Sequence, residues 1–471
     1  MQQIKQLFKQ LDPYLILLLV LSSLALAPLF APGYFYSTHD GRHSVFYLNL
    51  FDASIRDGAL WPRWAMHHIQ GYGYPTFIIQ SPLGFYIGEL FILLGAGVTT
   101  AVKLTWAVAF YASGWGMYRL TVHWLGDRRD MKAETVPGLD RVRLAGMVAG
   151  LLYLFVPYHL AGMYVRGALN DTLLLAWYPW VLLAFDRLIA GGMECGWQRR
   201  LGVAILLLAG TLYTHTFALI SFAPYLVTFV LFRLLLRWYQ MDGVDRWRSL
   251  ISTTLLAGVG GVGALLLYAN FLLPLLVEGQ SLQQQVYSTG TYDFRNHFVF
   301  LGQFLNPFWG TGFSDDPIGA NDGMGFQIGL MAVLFLIVAI YQLWQDSQQW
   351  RPLMLYLLVS TLVILVFMTP LAAPLWEAIP ALGIIQFPWR LLSLVALSVS
   401  ALTAFVVANL MRIELEWEAA MAGSLIVGLL VIFASYSYIG AELQPVDDWR
   451  EDGRAVFAFE NEHPDMIAYT E

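Results

Sequence analysis

An all-α, polytopic membrane protein of about eleven transmembrane helices is the fold class this sequence predicts, and three observations predict it. First, a chain of 471 residues that is 58% hydrophobic and only 13% charged cannot cover itself with a water-compatible surface, so it must meet lipid. Second, runs of about twenty apolar residues, the length that crosses ~30 Å of hydrocarbon, recur along the whole sequence. Third, lysines and arginines collect in alternate short loops, as the orientation rule for membrane helices requires.

The elements follow in order. An apolar run over 13–31 opens the chain and reads as an anchor rather than a cleaved signal peptide. A polar and aromatic segment, 32–100, comes next, and its Trp61, Trp64, Tyr72, Tyr74, Phe77, Phe85 and Tyr86 suit short helices lying at headgroup level. Inside it, "PLGFYIGELFILLGAGV" (82–98) is slightly short for a span, begins with proline and contains Glu89, so it is expected to lie at the outer interface or to re-enter rather than to span. Spans are then predicted over 101–125, 144–160, 172–190, 201–217, 219–237 and 252–277. After a second long loop, 278–325, four more follow over 326–345, 353–372, 390–411 and 420–440.

This reading puts Lys5 and Lys9, Arg128, Arg129, Lys132, Arg141 and Arg143, Arg199 and Arg200, Arg237, Arg246 and Arg248, and Arg351 and Arg412 on one side. The chain is thus expected to be multi-pass in the plasma membrane, with its N-terminus cytoplasmic and both long loops external. Residues 1–440 form the transmembrane domain, and 441–471 an acidic external tail. That tail holds Glu442, Asp447, Asp448, Glu451, Asp452, Glu460, Glu462, Asp465 and Glu471 against Arg450 and Arg454, which accounts for the whole net charge of -7. The rest of the chain is balanced, so a basic nucleic-acid-binding face is unsupported. The single cysteine, Cys195, excludes an internal disulfide and a cysteine-rich metal cluster.

Ionisable residues beside apolar runs supply the candidate site. "HDGRH" places Asp40 among His39, Arg42 and His43 just past the first span. A carboxylate there is able to act as a general base or to hold a hydroxyl or a cation. The same residue types suit a divalent metal, and a solvated turn accounts for them too. Arg166 and Asp171 in "MYVRGALND" either close a tight turn as a pair or present a guanidinium to an anion. His215 in "LYTHTFA" lies roughly 20 Å above the start of its span, a depth at which polar groups face a cavity or the bundle interior. Arg390 in "IIQFPWRLLSL" stands where the orientation rule disfavours arginine, as an interfacial anchor or a phosphate clamp. Glu278 in "FLLPLLVEGQ" occupies the corresponding end of another span.

An N-terminal anchor, an external loop with an early aspartate, the run G-x-x-x-P-x-x-x-x-x-S-P-L at 71–83 and a many-span bundle together resemble the GT-C superfamily of membrane glycosyltransferases. More narrowly, "WPRWAMHHIQGYGYPTFIIQSPLGFYIGELF", "LYTHTFA", "FLLPLLVEG" and "IIQFPWRLL" resemble a bacterial membrane family labelled 6-pyruvoyl-tetrahydropterin-synthase-related, a label that does not describe an activity. The superfamily resemblance implies a polyprenyl-phosphate-linked sugar donor in the outer leaflet and a catalytic acid in the first external loop, which by position is Asp40. Arg390 and Arg166, with His215, are then candidates for the donor phosphate by their level in the membrane. His39, Arg42, His43 and Glu278 are supporting candidates. No second acid adjoins Asp40, so no metal ligand set is assigned and metal dependence stays open.

The leading reading is an inverting glycosyltransferase whose base takes the acceptor proton while cations stabilise the leaving lipid phosphate. The alternative is a non-catalytic membrane subunit that binds partner subunits through its external loops. A transporter ranks third, because paired discontinuous helices in internal repeats are not evident.

Overall fold

The computed structural model describes residues 12–126, 141–241, 243, 245–282, 289–319, 321–345, 350–411 and 417–462. Lys5, Lys9, Arg128, Arg129, Lys132, Arg412, Asp465 and Glu471 lie outside the described residues. Within them the secondary structure is helical, and pairing of β type is confined to three isolated bridges. A helix satisfies its peptide groups within one segment, which suits apolar sequence that meets lipid.

Every predicted apolar run falls on a helix. The first is α1 (Pro13–Ala25), started by Asp12, whose carboxylate accepts from the amides of Tyr14 and Leu15 with proline at the first helical position. The first long loop holds α2 (Gly41–Arg56) and α3 (Leu83–Leu93). At ~1.5 Å per residue α3 is about 16 Å long, half the thickness of the hydrocarbon layer. Then come α4 (Val98–Gly126), α5 (Arg141–Phe155), α6 (Pro157–Tyr164), α7 (Leu169–Gly191), α8 (Trp197–Thr214), α9 (Phe222–Gln240) and α10 (Asp245–Val277). After the second long loop follow α11 (Leu330–Trp344), α12 (Arg351–Phe367), α13 (Leu392–Leu410) and α14 (Trp417–Ser435).

Four helical stretches of the described residues are long and apolar enough to cross a membrane: Leu169–Gly191, Phe217–Gln240, Arg246–Ser281 and Pro388–Leu410. The number rises to six when two bent pairs each count as one span. One pair bends by 42° at Pro157 and the other by 81° at Pro370. Proline withdraws an amide and crowds the carbonyl one turn back, which is why both breaks fall there. The protein is therefore a polytopic helical membrane protein.

The core runs along α13, which is buried from Leu392 to Asn409, with α4, α5, α11 and α12 packed around it. Helix α7 lies on the other side of α4, between α8 and α9. Buried hydroxyls along these helices, Ser113, Thr121, Thr211 and Thr403 among them, return a hydrogen bond to the carbonyl four residues back. The polar atoms therefore cost little inside an apolar bundle.

The chain after 440 folds back over the first long loop. Gln444 pairs with Tyr34, the Glu451 carboxylate accepts from the Thr99 amide at the start of α4, and the Arg450 guanidinium lies 4.0 Å over the Tyr36 ring. The last helix, α15 (Arg454–Glu462), stacks Phe459 on Phe46 of α2 at 4.2 Å. Its Glu460 is buried and accepts from the amides of Ile69 and Gln70 at 2.6 and 2.7 Å. Those two residues are left-handed, with φ of 56° and 52°. For a β-branched residue such as Ile69 that conformation is strained, and the two amides converging on one carboxylate hold it.

Candidate functional site

Two turns cross at one end of the bundle. The turn 35–41 joins the anchor to α2, and the turn 165–168 joins α6 to α7. The His39 amide donates to the Val165 carbonyl at 3.3 Å and the Asp40 amide to the Arg166 carbonyl at 2.6 Å. Ser44 Oγ donates to the Gly167 carbonyl at 3.2 Å. Glycine is needed on both sides of the crossing. A Cβ on Gly167, whose φ is +62°, would strike the backbone of Gly41, and a Cβ on Gly41 would strike the Phe35 carbonyl and Thr38 Oγ1.

This crossing fixes Asp40 immediately before α2. An aspartate there usually caps the helix, a role worth about 0.5–2 kcal/mol. Asp40 forgoes it: its carboxylate makes no capping bond and its side chain is 46% exposed. The carboxylate is thus left available, beside the positive end of a 16-residue helix.

Behind it lies a buried ionic cluster built on Asp171, in the first turn of α7. Arg166 Nη2 donates to Asp171 Oδ2 at 2.5 Å, Arg390 Nε stands 3.3 Å from the same oxygen, and His215 Nε2 stands 3.0 Å from Oδ1. His215 is the residue at which α8 ends in extended backbone, and its Nδ1 accepts from the Phe217 amide at 3.1 Å. That acceptance places the ring proton on Nε2, facing Asp171. Aromatic rings wall the cations: Arg166 lies 4.8 Å over Trp389, and Arg390 lies 4.8 Å over Phe387. Arg390 is also fixed from behind, its Nη1 donating to the Ile385 carbonyl and to Gln386 Oε1, each at 3.1 Å. Gln386 itself is left-handed, at φ +63°.

The charges do not cancel. Two guanidiniums face one carboxylate, and Arg166 Nη1 is buried without a partner that meets hydrogen-bond geometry, although the Tyr158 hydroxyl lies beside it. The Asp40 charge bears on both Arg166 and His215, so the acid and the cluster share one field. Of the sequence-predicted residues, the fold therefore brings Asp40, Arg166, Arg390 and His215 together. What the sequence does not show is the hub: whether the pair closes a turn or presents a guanidinium to an anion, the sequence links Asp171 to Arg166 alone. The available signal was its place in the first turn of an apolar span, where an unpartnered acid is costly.

The supporting residues are placed differently. His39, Arg42 and His43 all adjoin Asp40 in the sequence, but His39 and Arg42 turn to other partners. His39 turns to the second long loop, with Nε2 donating to the Thr311 carbonyl at 3.0 Å and its ring stacked on Phe313 at 4.6 Å. Burial pulls its imidazole below the ordinary histidine value, which the Thr311 bond partly offsets. Arg42 pairs with Glu462 of α15. His43 is the basic group within reach of Asp40, its Nδ1 3.8 Å from Oδ1. The reason is periodicity: residues 40 and 43 share a face of α2, and residue 42 points elsewhere. Glu278 pairs with Arg63, tying the end of α10 to the first long loop away from the cluster.

A divalent metal at "HDGRH" is not fitted by this arrangement. His39 is committed to Thr311, and among the described residues no three of His, Cys, Asp and Glu converge as ligands. No step is routed through a metal here.

No family model and no curated protein matches this chain. Among solved structures it is similar to the oligosaccharyltransferase of Archaeoglobus fulgidus in its apo form. The TM-score is 0.51 and the sequence identity 14%, over 97% of this chain and 60% of that one. This chain thus spans about three-fifths of the length of that protein. At such identity the likeness defines the fold alone: this is a helical membrane protein whose architecture is similar to that of the archaeal oligosaccharyltransferase.

Proposed function

We propose that the protein is a membrane glycosyltransferase that takes its sugar from a polyprenyl-phosphate-linked donor at the outer face of the plasma membrane. The observation that carries this reading is the pairing of an uncapped, accessible Asp40 carboxylate with a buried cluster that holds one more cation than anion. Asp40 takes the proton of the acceptor hydroxyl as that oxygen attacks the anomeric carbon. The bond from that carbon to the phosphate oxygen breaks, and the departing phosphate meets Arg390 and His215, the more accessible faces of the cluster, with Arg166 behind them. The oligosaccharyltransferase-like fold supports a lipid-linked donor. The distribution of lysine and arginine supports an external site, a cytoplasmic N-terminus and the full set of eleven spans, with the acidic tail external. Membership of the bacterial family labelled 6-pyruvoyl-tetrahydropterin-synthase-related rests on the four quoted motifs.

Asp40→Asn tests the reading. The variant keeps the shape of the side chain and loses its basic lone pair. It is expected to insert normally and bind polyprenyl phosphate in nanodiscs as the wild type does. Release of polyprenyl phosphate from lipid-linked sugars in membranes should fall on the order of 10²–10⁴-fold. Undiminished transfer in this variant would remove the mechanism and favour a non-catalytic subunit that binds partners through its external loops.

A further inference from the structure

The bundle carries a second cationic feature at the opposite end, on its outer perimeter. There α4 and α7 run side by side, and three contacts fix their register. Trp115 meets Trp180 edge to face at 5.2 Å, and further along His123 Nε2 and Trp124 Nε1 reach Asp186 Oδ2 at 3.1 and 3.0 Å. Arg119 lies one turn past Trp115, and Arg187 two turns past Trp180. Both guanidiniums therefore leave on the face that carries the indoles, Arg119 between the two points of contact and Arg187 one residue past the second. Both side chains are exposed, and each charge bears on the other. Among the described residues neither is paired with a carboxylate. Asp186, whose charge also reaches Arg187, is wholly buried on the inner side of α7 and engaged by Arg233, His123 and Trp124.

Below the arginines the surface is shaped rather than flat. Gly116 gives the Trp180 indole room to lie across α4, since a Cβ there would come within 2.7 Å of its Nε1. The same nitrogen donates to the Ala112 carbonyl at 3.0 Å, which pins the ring. Trp115, 45% exposed, forms the other wall. Arg187 is sixteen residues past Asp171 on α7, roughly 24 Å along the axis, and an arginine reaches several ångströms further toward water. With Asp171 near one interface, the two guanidiniums stand at headgroup height of the other leaflet.

We infer that Arg119, Arg187, Trp115 and Trp180 form a binding site for an anionic phospholipid in the leaflet opposite Asp40. An anion between two like charges that bear on each other relieves their repulsion, and a phosphodiester offers each guanidinium an oxygen. The indoles continue the site into the hydrocarbon and take the first part of an acyl chain, which a soluble phosphate lacks. This site is independent of the glycosyltransferase reading.

Native mass spectrometry of the full chain, delipidated and then titrated with phosphatidylglycerol, phosphatidylcholine or inorganic phosphate, tests the inference. The wild type is expected to hold one phosphatidylglycerol in preference to phosphatidylcholine, with inorganic phosphate unable to displace it. Arg119→Gln/Arg187→Gln should weaken that binding on the order of tenfold or more, whereas Arg199→Gln, an exposed arginine on α8, should not. Arg119→Lys, which keeps the charge and removes the fork, provides a fold-neutral variant and should weaken binding in the same direction. Equal retention in the double variant, an equal loss in Arg199→Gln, no headgroup preference, or displacement by inorganic phosphate would each overturn the site.

Discussion

Asp171 and Asp186 are buried near the two ends of one helix, roughly 22 Å apart along α7, and each has an arginine and a histidine against it. Their electrostatics differ. At Asp186 one guanidinium, from Arg233, meets one carboxylate, and the remaining oxygen is satisfied by His123 and the Trp124 indole. That cluster is balanced and holds α4, α7 and α9 together. At Asp171 two guanidiniums meet one carboxylate. Burying a charge is costly unless it is paired, so a balanced cluster is understandable as a lock, whereas the surplus at Asp171 is met by the field of the separate Asp40 carboxylate and can take a further anion. The same helix thus carries a fastening at one end and a receptive site at the other.

The comparison breaks most visibly at Arg233. Arg233→Gln leaves the Asp186 carboxylate buried and uncompensated, which should cost about 3–5 kcal/mol, read as lost thermal stability in detergent. A variant as stable as wild type would deny the lock. Arg390→Gln should behave in the opposite way, since it leaves Arg166 and Asp171 as a neutral pair. Its stability should stay within about 1 kcal/mol of wild type, while polyprenyl-phosphate affinity drops on the order of tenfold to a hundredfold, the worth of a charged hydrogen bond of about 1.5–3 kcal/mol. Destabilisation equal to that of Arg233→Gln would make both ends fastenings.

A third buried carboxylate, Glu460, sharpens the contrast because its partners are backbone amides and its neighbour His68 is titratable, with Nε2 4.0 Å from Oε1. Burial pushes the His68 imidazole down to about 4. Undocked, the ring binds a proton near its ordinary value of about 6.5, so between these values the undocked state holds more protons. Docking of α15 should be unaffected above pH 6.5 and weaken by up to about tenfold per pH unit as pH falls toward 4. Hydrogen exchange of residues 61–76 and 454–462 reads this, and a flat profile would deny that the tail seals His68. The smallest effect belongs to Arg42→Ala. Its pair with Glu462 is largely exposed and should contribute no more than about 1 kcal/mol to the same docking.

The helical bundle was legible because a run of apolar residues long enough to cross lipid has one way to fold. Where the helices break was less so. The runs 144–160 and 353–372 read as single spans, but the chain bends at Pro157 and Pro370, and whether a proline kinks or ends a helix depends on what packs against it. Arg166, Arg390 and His215 stood out as charges at unexpected depth. Their meeting at Asp171 did not, since Arg390 is brought to it by packing of distant helices rather than by any local pattern. Choosing His43 over His39 and Arg42 required knowing that α2 starts at Gly41. The left-handed pair Ile69 and Gln70 was invisible because neither residue favours that conformation without Glu460.

That last contact has a consequence in time. Ile69 and its partner Glu460 are 391 residues apart, so at about 5–20 residues per second the ribosome needs on the order of 20–80 s to make the second after the first. For that interval the turn at Ile69 and Gln70 waits in an unfinished state, and α15, made hundreds of residues later, completes it. A nascent chain that stalls in α14 would carry every residue of the ionic cluster and still lack the carboxylate that fastens Ile69 and Gln70.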